Sequence, residues 1–185
     1  DKNGWIDSGE ILYGDKNLAA FKTEKEWLTI RGKEIAMVLQ DPMTSLNPLK
    51  TIGAQIGEAI EMHRGLKGAA CKAAVLEILQ DVGITEPERR YKQYPHEFSG
   101  GMRQRVVIAI AVACKPKTLI CDEPTTALDV TIQAQILDLL KNLKKKYDLT
   151  TIYITHDLGV VANVADRIAV MYAGDIVEYG TSEEV

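Results

Sequence analysis

The stretch "FSGGMRQRVVIAIAVACKPKTLICDEPTTALD", from Phe98 to Asp129, holds the features that decide the fold. Ser99 and two glycines precede an apolar run, a pattern that predicts a capped helix beginning at Gly100. The segment "TLICDE" then has the composition of a buried strand that ends in two carboxylates, Asp122 and Glu123. A helix followed by such a strand indicates an α/β unit, in which ligands collect at the carboxyl ends of the strands.

Strands and helices alternate on both sides of this stretch, which predicts a mostly parallel sheet with helices on both faces. The predicted strands are 10–13, 35–39, 118–122, 151–155, 167–172 and 175–179, and the predicted helices are 23–31, 100–114, 131–147 and 157–165. The loop "DPMTSLNP" after Gln40 is expected to lack regular structure because it contains two prolines. Residues 51–97 show a helical period and form a small helical lobe. Residues 1–50 and 98–185 form the α/β core of the same single domain.

The composition excludes several classes of protein. The chain has 185 residues, 46% of them hydrophobic, with a net charge of -4, so no overall field favours nucleic acid. Its three cysteines show no CxxC spacing, which argues against disulfides and zinc and favours small core residues. The sequence contains no apolar run of about 18 residues, the length that spans a membrane. Any tie to a membrane is therefore expected to run through a partner.

Polar residues follow three apolar strands at the point where each strand ends. Gln40 follows one strand, Asp122 ends the second, and His156 follows the third. Carboxyl ends of parallel strands meet at one edge of a sheet, so these residues are expected to converge there. Adjacent acids at such an edge suit two tasks: Asp122 can hold Mg²⁺ while Glu123 polarises an attacking water. The sequence therefore predicts a site for a magnesium-bound nucleotide.

With these motifs in their order, the chain resembles the ATP-binding subunit of an ATP-binding cassette (ABC) transporter, over essentially its whole length. "FSGGM" resembles the family signature LSGGQ, with Phe98 and Met102 as departures. "TLICDE" resembles the Walker B strand, "TTALD" the D-loop and "THD" the switch histidine, while Gln40 with "DPMTSLNP" resembles the Q-loop. "RGKEIAMVLQDPMTSLNP" and "FSGGMRQRVVIAIA" are closest to the dipeptide, oligopeptide and nickel permease ATPases, in which Met is common at the last signature position.

The resemblance implies a P-loop NTPase-like fold and a role for each residue at the sheet edge. Asp122 would help to hold Mg²⁺, and Glu123 would polarise the water. His156 would bond the γ-phosphate of ATP, and Gln40 would sense the ion and the water while its loop contacts a membrane subunit. These roles imply an ATPase that powers import of peptides or nickel.

The signature residues are implied to act on a second subunit. Ser99, Gly100, Gly101 and Met102 would bind the nucleotide held by the opposite ATPase subunit of a homo- or heterodimer, and Asp129 would act across the same interface. The further partners implied are membrane-spanning permease subunits and, indirectly, an extracytoplasmic solute-binding protein, with no nucleic acid. The implied location is the cytoplasmic face of the plasma membrane.

The family's phosphate loop, GxxxxGK followed by Ser or Thr, has no match in these residues. The nearest pattern, "GEILYGDKN" from Gly9 to Asn17, has Asp15 at the Lys position and is predicted to form a turn. The resemblance places the true loop upstream of the first residue, so we expect a fragment that lacks the N-terminal part of the sheet and cannot bind or hydrolyse ATP alone. The lost strand is expected beside the Walker B strand, leaving an exposed edge that invites another chain.

Two alternative functions remain open from the sequence. The first is a soluble cassette ATPase of DNA repair, a class that usually carries long coiled-coil or zinc insertions; the interval from Gln40 to Ser99 is short and contains no heptads. The second is a non-catalytic interaction module whose helical lobe binds a membrane subunit. A measurement of nucleotide binding distinguishes this interaction module from an ATPase, since only the ATPase has to bind a nucleotide.

Overall fold

The structure, a computed structural model, describes residues 6–126 and 128–185, with the side chain of Met43 left out. Ala127, in the predicted D-loop, therefore lies outside the described residues. The elements in chain order are β1 (Leu12–Tyr13), β2 (Lys16–Asn17), α1 (Glu24–Trp27), β3 (Ile35–Val38), α2 (Pro42–Ser45), α3 (Ile52–Arg64), α4 (Gly68–Asp81), α5 (Pro87–Arg90), α6 (Gly100–Val112), β4 (Thr118–Asp122), α7 (Val130–Tyr147), β5 (Thr150–Ile154), α8 (Leu158–Val164), β6 (Arg167–Tyr172) and β7 (Asp175–Thr181).

A parallel three-stranded sheet, in the order β3-β4-β5, carries the predicted site. Val38 lies opposite Cys121, and Cys121 lies opposite Tyr153, so the three strands run in step to one carboxyl edge. Alternate side chains on one face are buried and share a hydrophobic core with residues of α6 and α7, among them Val38, Leu119, Cys121, Ile108 and Leu140. Parallel strands joined through helices confirm the predicted α/β class.

The second face of this sheet is open to solvent. Met37, Ile120 and Ile152 form one row across the three strands, and Met37 is 43% and Ile152 48% exposed. Ile154, two residues further along β5, is 49% exposed. Parallel sheets are normally covered on both faces, yet among residues 6–126 and 128–185 helices cover only one. The expected helices on the second face are thus not found in this part of the chain.

The expected position of an additional strand is wrong. Both edges of β4, the strand that resembles Walker B, are already occupied, because β4 pairs with β3 on one side and with β5 on the other. In the described residues, β3 and β5 are the outer strands of the sheet. Another strand could therefore pair only with one of these two.

We expect this open face to make the 185-residue chain self-associate. Ile152→Glu, which puts a charge in the middle of the exposed apolar row, should lower the association measured by light scattering at high protein concentration. Leu49→Glu is the matched control, since Leu49 is 86% exposed in the loop between α2 and α3. A monodisperse wild-type chain at high concentration would contradict the expectation.

The helical lobe consists of α3, α4 and α5. Ile56 and Ile60 of α3 and Val75 and Leu79 of α4 are fully buried, and they belong to the same continuous core as Leu119 of β4. Polar contacts also join the lobe to the sheet domain: Asp81 at the end of α4 bonds Lys146 and Tyr147 at the end of α7. The lobe is therefore packed firmly onto the rest of the chain, and its division into residues 51–97 stays a prediction.

Two local predictions are wrong, for identifiable reasons. Pro42–Ser45 forms one helical turn within the loop expected to be irregular, because Pro42 stands at the first helical position, where the ring fits and no N–H is needed. The helix predicted at 23–31 begins as expected, with a capping box between Thr23 and Glu26, but ends at Trp27. Turn-like bonds then continue to Gly32, whose φ of +71° favours glycine.

The other boundaries agree with the sequence to within a few residues. The strand at 118–122 and the hairpin β6–β7, with its turn at Gly174, lie where they were predicted. Among the described residues, no helix combines the length and the apolar character that a membrane span requires.

Candidate functional site

The carboxylate of Glu123 is the centre of the polar cluster at the carboxyl edge of the sheet. Gln40 Nε2 donates to Glu123 Oε2 at 2.9 Å, and Thr126 Oγ1 donates to the same oxygen at 2.9 Å. His156 Nδ1 lies 3.0 Å from Oε1. An ionised carboxylate only accepts, so Nδ1 carries the proton in this pair. Three strand ends thus meet at one edge, as the sequence predicted, but the carboxylate that joins Gln40 and His156 is that of Glu123 and not that of Asp122.

The backbone at Glu123 leaves strand geometry directly after the end of β4. The N–H of Glu123 donates to Ile154 O at 2.9 Å, which extends the β4–β5 pairing by one residue. At Glu123 itself φ is +44°, a left-handed conformation rare for residues with a side chain. The N–H of Thr126 then closes a turn onto Glu123 O at 3.3 Å. Strained backbone of this kind persists where neighbouring contacts hold it, and it is frequent at active sites.

The hydrogen bonds set the charge of this carboxylate. The Thr126 hydroxyl, and next the ring of His156, hold the pKa of Glu123 below its ordinary value, against a smaller opposing effect of burial. Glu123 is therefore ionised at neutral pH, the form in which both of its oxygens accept hydrogen bonds. Its side chain is 25% exposed and that of His156 73%, so solvent and ligands can reach the pair.

Asp122 supplies the second carboxylate of the site. It is the last residue of β4, is half-buried, and forms no side-chain hydrogen bond with the described residues. No cluster of three His, Cys, Asp or Glu side chains able to hold a metal occurs in residues 6–126 and 128–185. Mg²⁺ usually takes one or two carboxylates together with water and substrate phosphates. The carboxylate of Asp122 and the amide oxygen of Gln40 are ligands of the type that Mg²⁺ takes, and the role predicted for them stays a prediction.

The signature residues form a second cluster at the N-terminus of α6. Ser99 caps the helix, its Oγ accepting from Met102 N at 3.4 Å, and Gly100 and Gly101 provide the first helical residues. Free backbone N–H groups at a helix N-terminus favour anions. Asp129 caps the neighbouring helix α7 through a 3.0 Å bond from Ile132 N. Both Ser99 and Asp129 thus have a structural task besides the nucleotide contacts predicted for them.

The nearest match to a phosphate loop forms the predicted turn. Leu12–Tyr13 and Lys16–Asn17 pair antiparallel across Gly14 and Asp15, with Gly14 at a φ of +56°. Asn17 holds the base of this hairpin by accepting from Ile11 N and Ala19 N. A short hairpin of this kind does not lead a strand into a long helix, as a phosphate loop does.

The cysteines are the small core residues that the sequence predicted. All three are free thiols; Cys71 and Cys121 are buried and Cys114 is half-buried. Burial raises the pKa of Cys121 to about 12, and burial also raises the pKa of the other two thiols. Thiols of this kind are poor nucleophiles and poor metal ligands at neutral pH.

Comparison with known sequences agrees with this geometry. The sequence model described as ABC transporter matches residues 2–126, which is more than half of the chain. The chain belongs to the ABC transporter family. It spans about half the length of the curated relatives that it matches.

Peptide transport proteins are among the relatives of this cassette. The oligopeptide transport ATP-binding protein AmiE of Streptococcus pneumoniae is 59% identical over all 185 residues, which cover 52% of that protein. The oligopeptide transport ATP-binding protein OppD of Bacillus subtilis is 61% identical over 182 residues, 98% of this chain and 51% of that protein. The dipeptide transport ATP-binding protein DppD of Bacillus subtilis is 56% identical over 180 residues, 97% of this chain and 53% of that protein.

A solved cassette has the same fold. The dimeric structure of a post-hydrolysis state of the ATP-binding cassette MJ0796, bound to ADP and Pi, superposes with a TM-score of 0.82 at 28% sequence identity. The superposition covers 97% of this chain and 75% of that chain. The likeness confirms the predicted fold class for the cassette.

The two signature glycines provide a matched test of packing. A Cβ at Gly101 would lie 2.7 Å from Ile132 Cγ2, whereas a Cβ at Gly100 would meet only Leu128 Cδ2, at 3.9 Å. Ile132 is β-branched and adapts poorly, so we expect Gly101→Ala to lower the free energy of unfolding by about 1–3 kcal/mol. Gly100→Ala should leave it nearly unchanged, as measured by urea denaturation. Equal losses in the two variants would contradict the close contact.

Sequence reasoning missed three polar side chains that hold the turn after β4, at residues 123–126, which we call the Walker B turn. Thr126 bonds the carboxylate of Glu123. Gln104 of α6 donates to Pro124 O at 2.7 Å, and Gln133 of α7 donates to Thr125 O at 3.0 Å. A hydroxyl three residues after an acid is a turn signal that could have identified Thr126. The two glutamines reach the turn from distant helices, so no local pattern announces them.

Proposed function

We propose that this cassette is part of an ATPase subunit that powers the import of peptides by an ABC transporter. The observation that carries the proposal is the ionised Glu123 held at 2.9–3.0 Å by Gln40, Thr126 and His156, next to Asp122. A fixed carboxylate at the carboxyl edge of a parallel sheet suits activation of a water for attack on a phosphate. The relatives named above are peptide transport proteins and support the substrate class.

In the proposed reaction, Glu123 orients a water and accepts its proton, while His156 turns from Glu123 towards the γ-phosphate. His156 is free to do so because its side chain is largely exposed and, within the described part of the chain, is hydrogen-bonded only to Glu123. Asp122, assisted by the amide of Gln40, would hold Mg²⁺, which neutralises charge on the phosphates when bound. Phosphoryl transfer depends chiefly on such positioning and neutralisation.

We propose that the signature residues complete the site of a second subunit. The N-terminus of α6, with Ser99, Gly100, Gly101 and Met102, offers backbone N–H groups to the γ-phosphate of the opposite nucleotide. Asp129 lies beside this N-terminus, since Gly101 packs against Ile132, three residues after it. The related cassette MJ0796 is dimeric and bound to ADP and Pi, which supports a head-to-tail dimer that closes on ATP and opens after hydrolysis.

The proposed partners follow from the peptide transport relatives. They are a second ATPase subunit, membrane-spanning permease subunits that contact the loop after Gln40, and an extracytoplasmic solute-binding protein that acts indirectly. The cassette is then peripheral, on the cytoplasmic face of the plasma membrane. Nickel is the second candidate solute, because the motifs resemble nickel permease ATPases as well. The relatives reported above give no support to a DNA-repair ATPase.

Calorimetric titration with Mg-ATP tests the proposal. It compares the 185-residue chain with a version extended to the length of AmiE. We expect the extended protein to bind and hydrolyse ATP, and the 185 residues alone to bind far more weakly, because they contain no GxxxxGK sequence. Tight binding by the short chain would show that other residues hold the phosphates. An extended protein that binds permease subunits but not ATP would favour the non-catalytic interaction module.

A further inference from the structure

Gln104 is a buried polar residue that the proposed reaction does not use. It lies in the second turn of α6, five residues after the capping Ser99, and only 1% of it is exposed. Glutamine is seldom buried to this extent. Its Oε1 has no hydrogen-bond partner among the described residues, an arrangement that is unfavourable in a core. A buried polar group without a partner calls for an explanation.

Among the described residues, the side chain of Gln104 forms one hydrogen bond, and it goes to the turn at Glu123–Thr126. Its Nε2 donates at 2.7 Å to the carbonyl of Pro124, the residue that follows Glu123. The strand β4 has ended there, so this carbonyl has no partner in the sheet. Gln104 thereby fixes the peptide unit between Pro124 and Thr125, one residue beyond Glu123, whose φ is +44°. A donor at this point helps to hold a backbone conformation that would otherwise relax.

The same helix that carries Gln104 also carries the signature residues. Its N-terminus fits tightly against α7, with no room for a Cβ at Gly101 beside Ile132. From this N-terminus to Gln104 the helix is continuous, so a displacement of the signature residues moves the donor that holds Pro124.

We propose that Gln104 is a positioning residue: from α6 it sets the backbone conformation at Glu123. It would thereby link the signature residues at the start of α6, which face the partner cassette, to the carboxylate of Glu123 that activates water in this chain. The inference rests on the proposed ATPase function. Gln104 touches neither nucleotide nor water; it acts through Pro124. Losing its amide should therefore impair the hydrolytic step and spare the affinity for ATP.

Gln104→Leu and Gln133→Leu form a matched pair for the test. Both remove an amide that holds a carbonyl of the same turn, but Gln133 belongs to α7 and holds Thr125. In the protein extended to the length of AmiE, Gln104→Leu should lower kcat for ATP hydrolysis by about 10- to 100-fold and leave KM nearly unchanged. This is the effect expected when the carboxylate of Glu123 is slightly misplaced relative to the attacking water. Gln133→Leu should stay within about twofold of the parent. Gln104→Met repeats the test with a more adaptable side chain in case the Leu variant unfolds.

An NMR measurement on the 185-residue chain gives a readout independent of catalysis. A positive φ at Glu123 brings its N–H close to its own Hα and gives a strong intraresidue cross-peak. We expect this cross-peak to weaken in Gln104→Leu and to persist in Gln133→Leu. Equal effects of the two variants on kcat, or an unchanged cross-peak in both Gln104 variants, would overturn the inference. An extended parent protein that does not hydrolyse ATP would instead refute the proposed function, whatever the cross-peak shows.

Discussion

Glu123→Gln should lower the rate of ATP hydrolysis by the extended protein by about 100- to 10,000-fold while leaving ATP binding intact. The glutamine keeps the size of the side chain and can still accept the bonds from Gln40 and Thr126, so the turn is expected to survive. It cannot accept a proton from water, and loss of a general base typically lowers a rate by about 100- to 10,000-fold. Phosphate release at saturating Mg-ATP measures the loss.

A second consequence of Glu123→Gln concerns the dimer. Since ATP binds but is hydrolysed only slowly, the two cassettes should stay closed on the nucleotide, and size-exclusion chromatography with Mg-ATP should show a stable dimer. Glu26→Gln is the control. The pKa of Glu26 is also lowered by hydrogen bonds, from Thr23 and its neighbours, but Glu26 belongs to the capping box of α1. If Glu123→Gln hydrolysed ATP as fast as Glu26→Gln, Glu123 would not be the general base of the reaction.

Much of the fold was predictable because its signals are local. The strand at 118–122 is a short apolar run bounded by a loop and two acids, and the capped starts of α6 and α7 follow from Ser99 and Asp129. Convergence at one edge followed from a general property of parallel strands, and the bonds from Gln40 and His156 to Glu123 agree with it. What each residue does to ATP and Mg²⁺ stays a prediction drawn from the family.

The remaining features depend on contacts between distant parts of the chain. Hydrophobic pattern could not show that one face of the sheet lacks helices, because Ile152 on the open face and Leu119 on the closed face have the same apolar character in the sequence. Strand order was likewise not readable: β4 lies between β3 and β5, and this excludes the position expected for another strand. The hydrogen bond from Gln104 to Pro124 joins residues that are 20 positions apart in the sequence and meet only through tertiary packing.

Asp81→Ala should destabilise the chain by about 2–3 kcal/mol, because it breaks the polar contact between the helical lobe and α7. The Asp81 side chain is only 12% exposed and is paired with Lys146 at 2.5 Å, and its second oxygen accepts from the hydroxyl of Tyr147. Without Asp81, the half-buried Tyr147 hydroxyl loses its acceptor. The melting temperature should fall by roughly 5–10 °C, as measured by calorimetry.

Tyr147→Phe separates the two parts of this contact, since it removes the hydroxyl and keeps the ring that packs against the core. Its expected loss is smaller, about 1 kcal/mol, because Lys146 still pairs with Asp81. The double variant should then lose little more than Asp81→Ala alone, because the hydroxyl has no partner once Asp81 is absent. Fully additive losses would mean that the two side chains do not interact in solution. Small losses in both single variants would mean that apolar packing alone holds the lobe against α7.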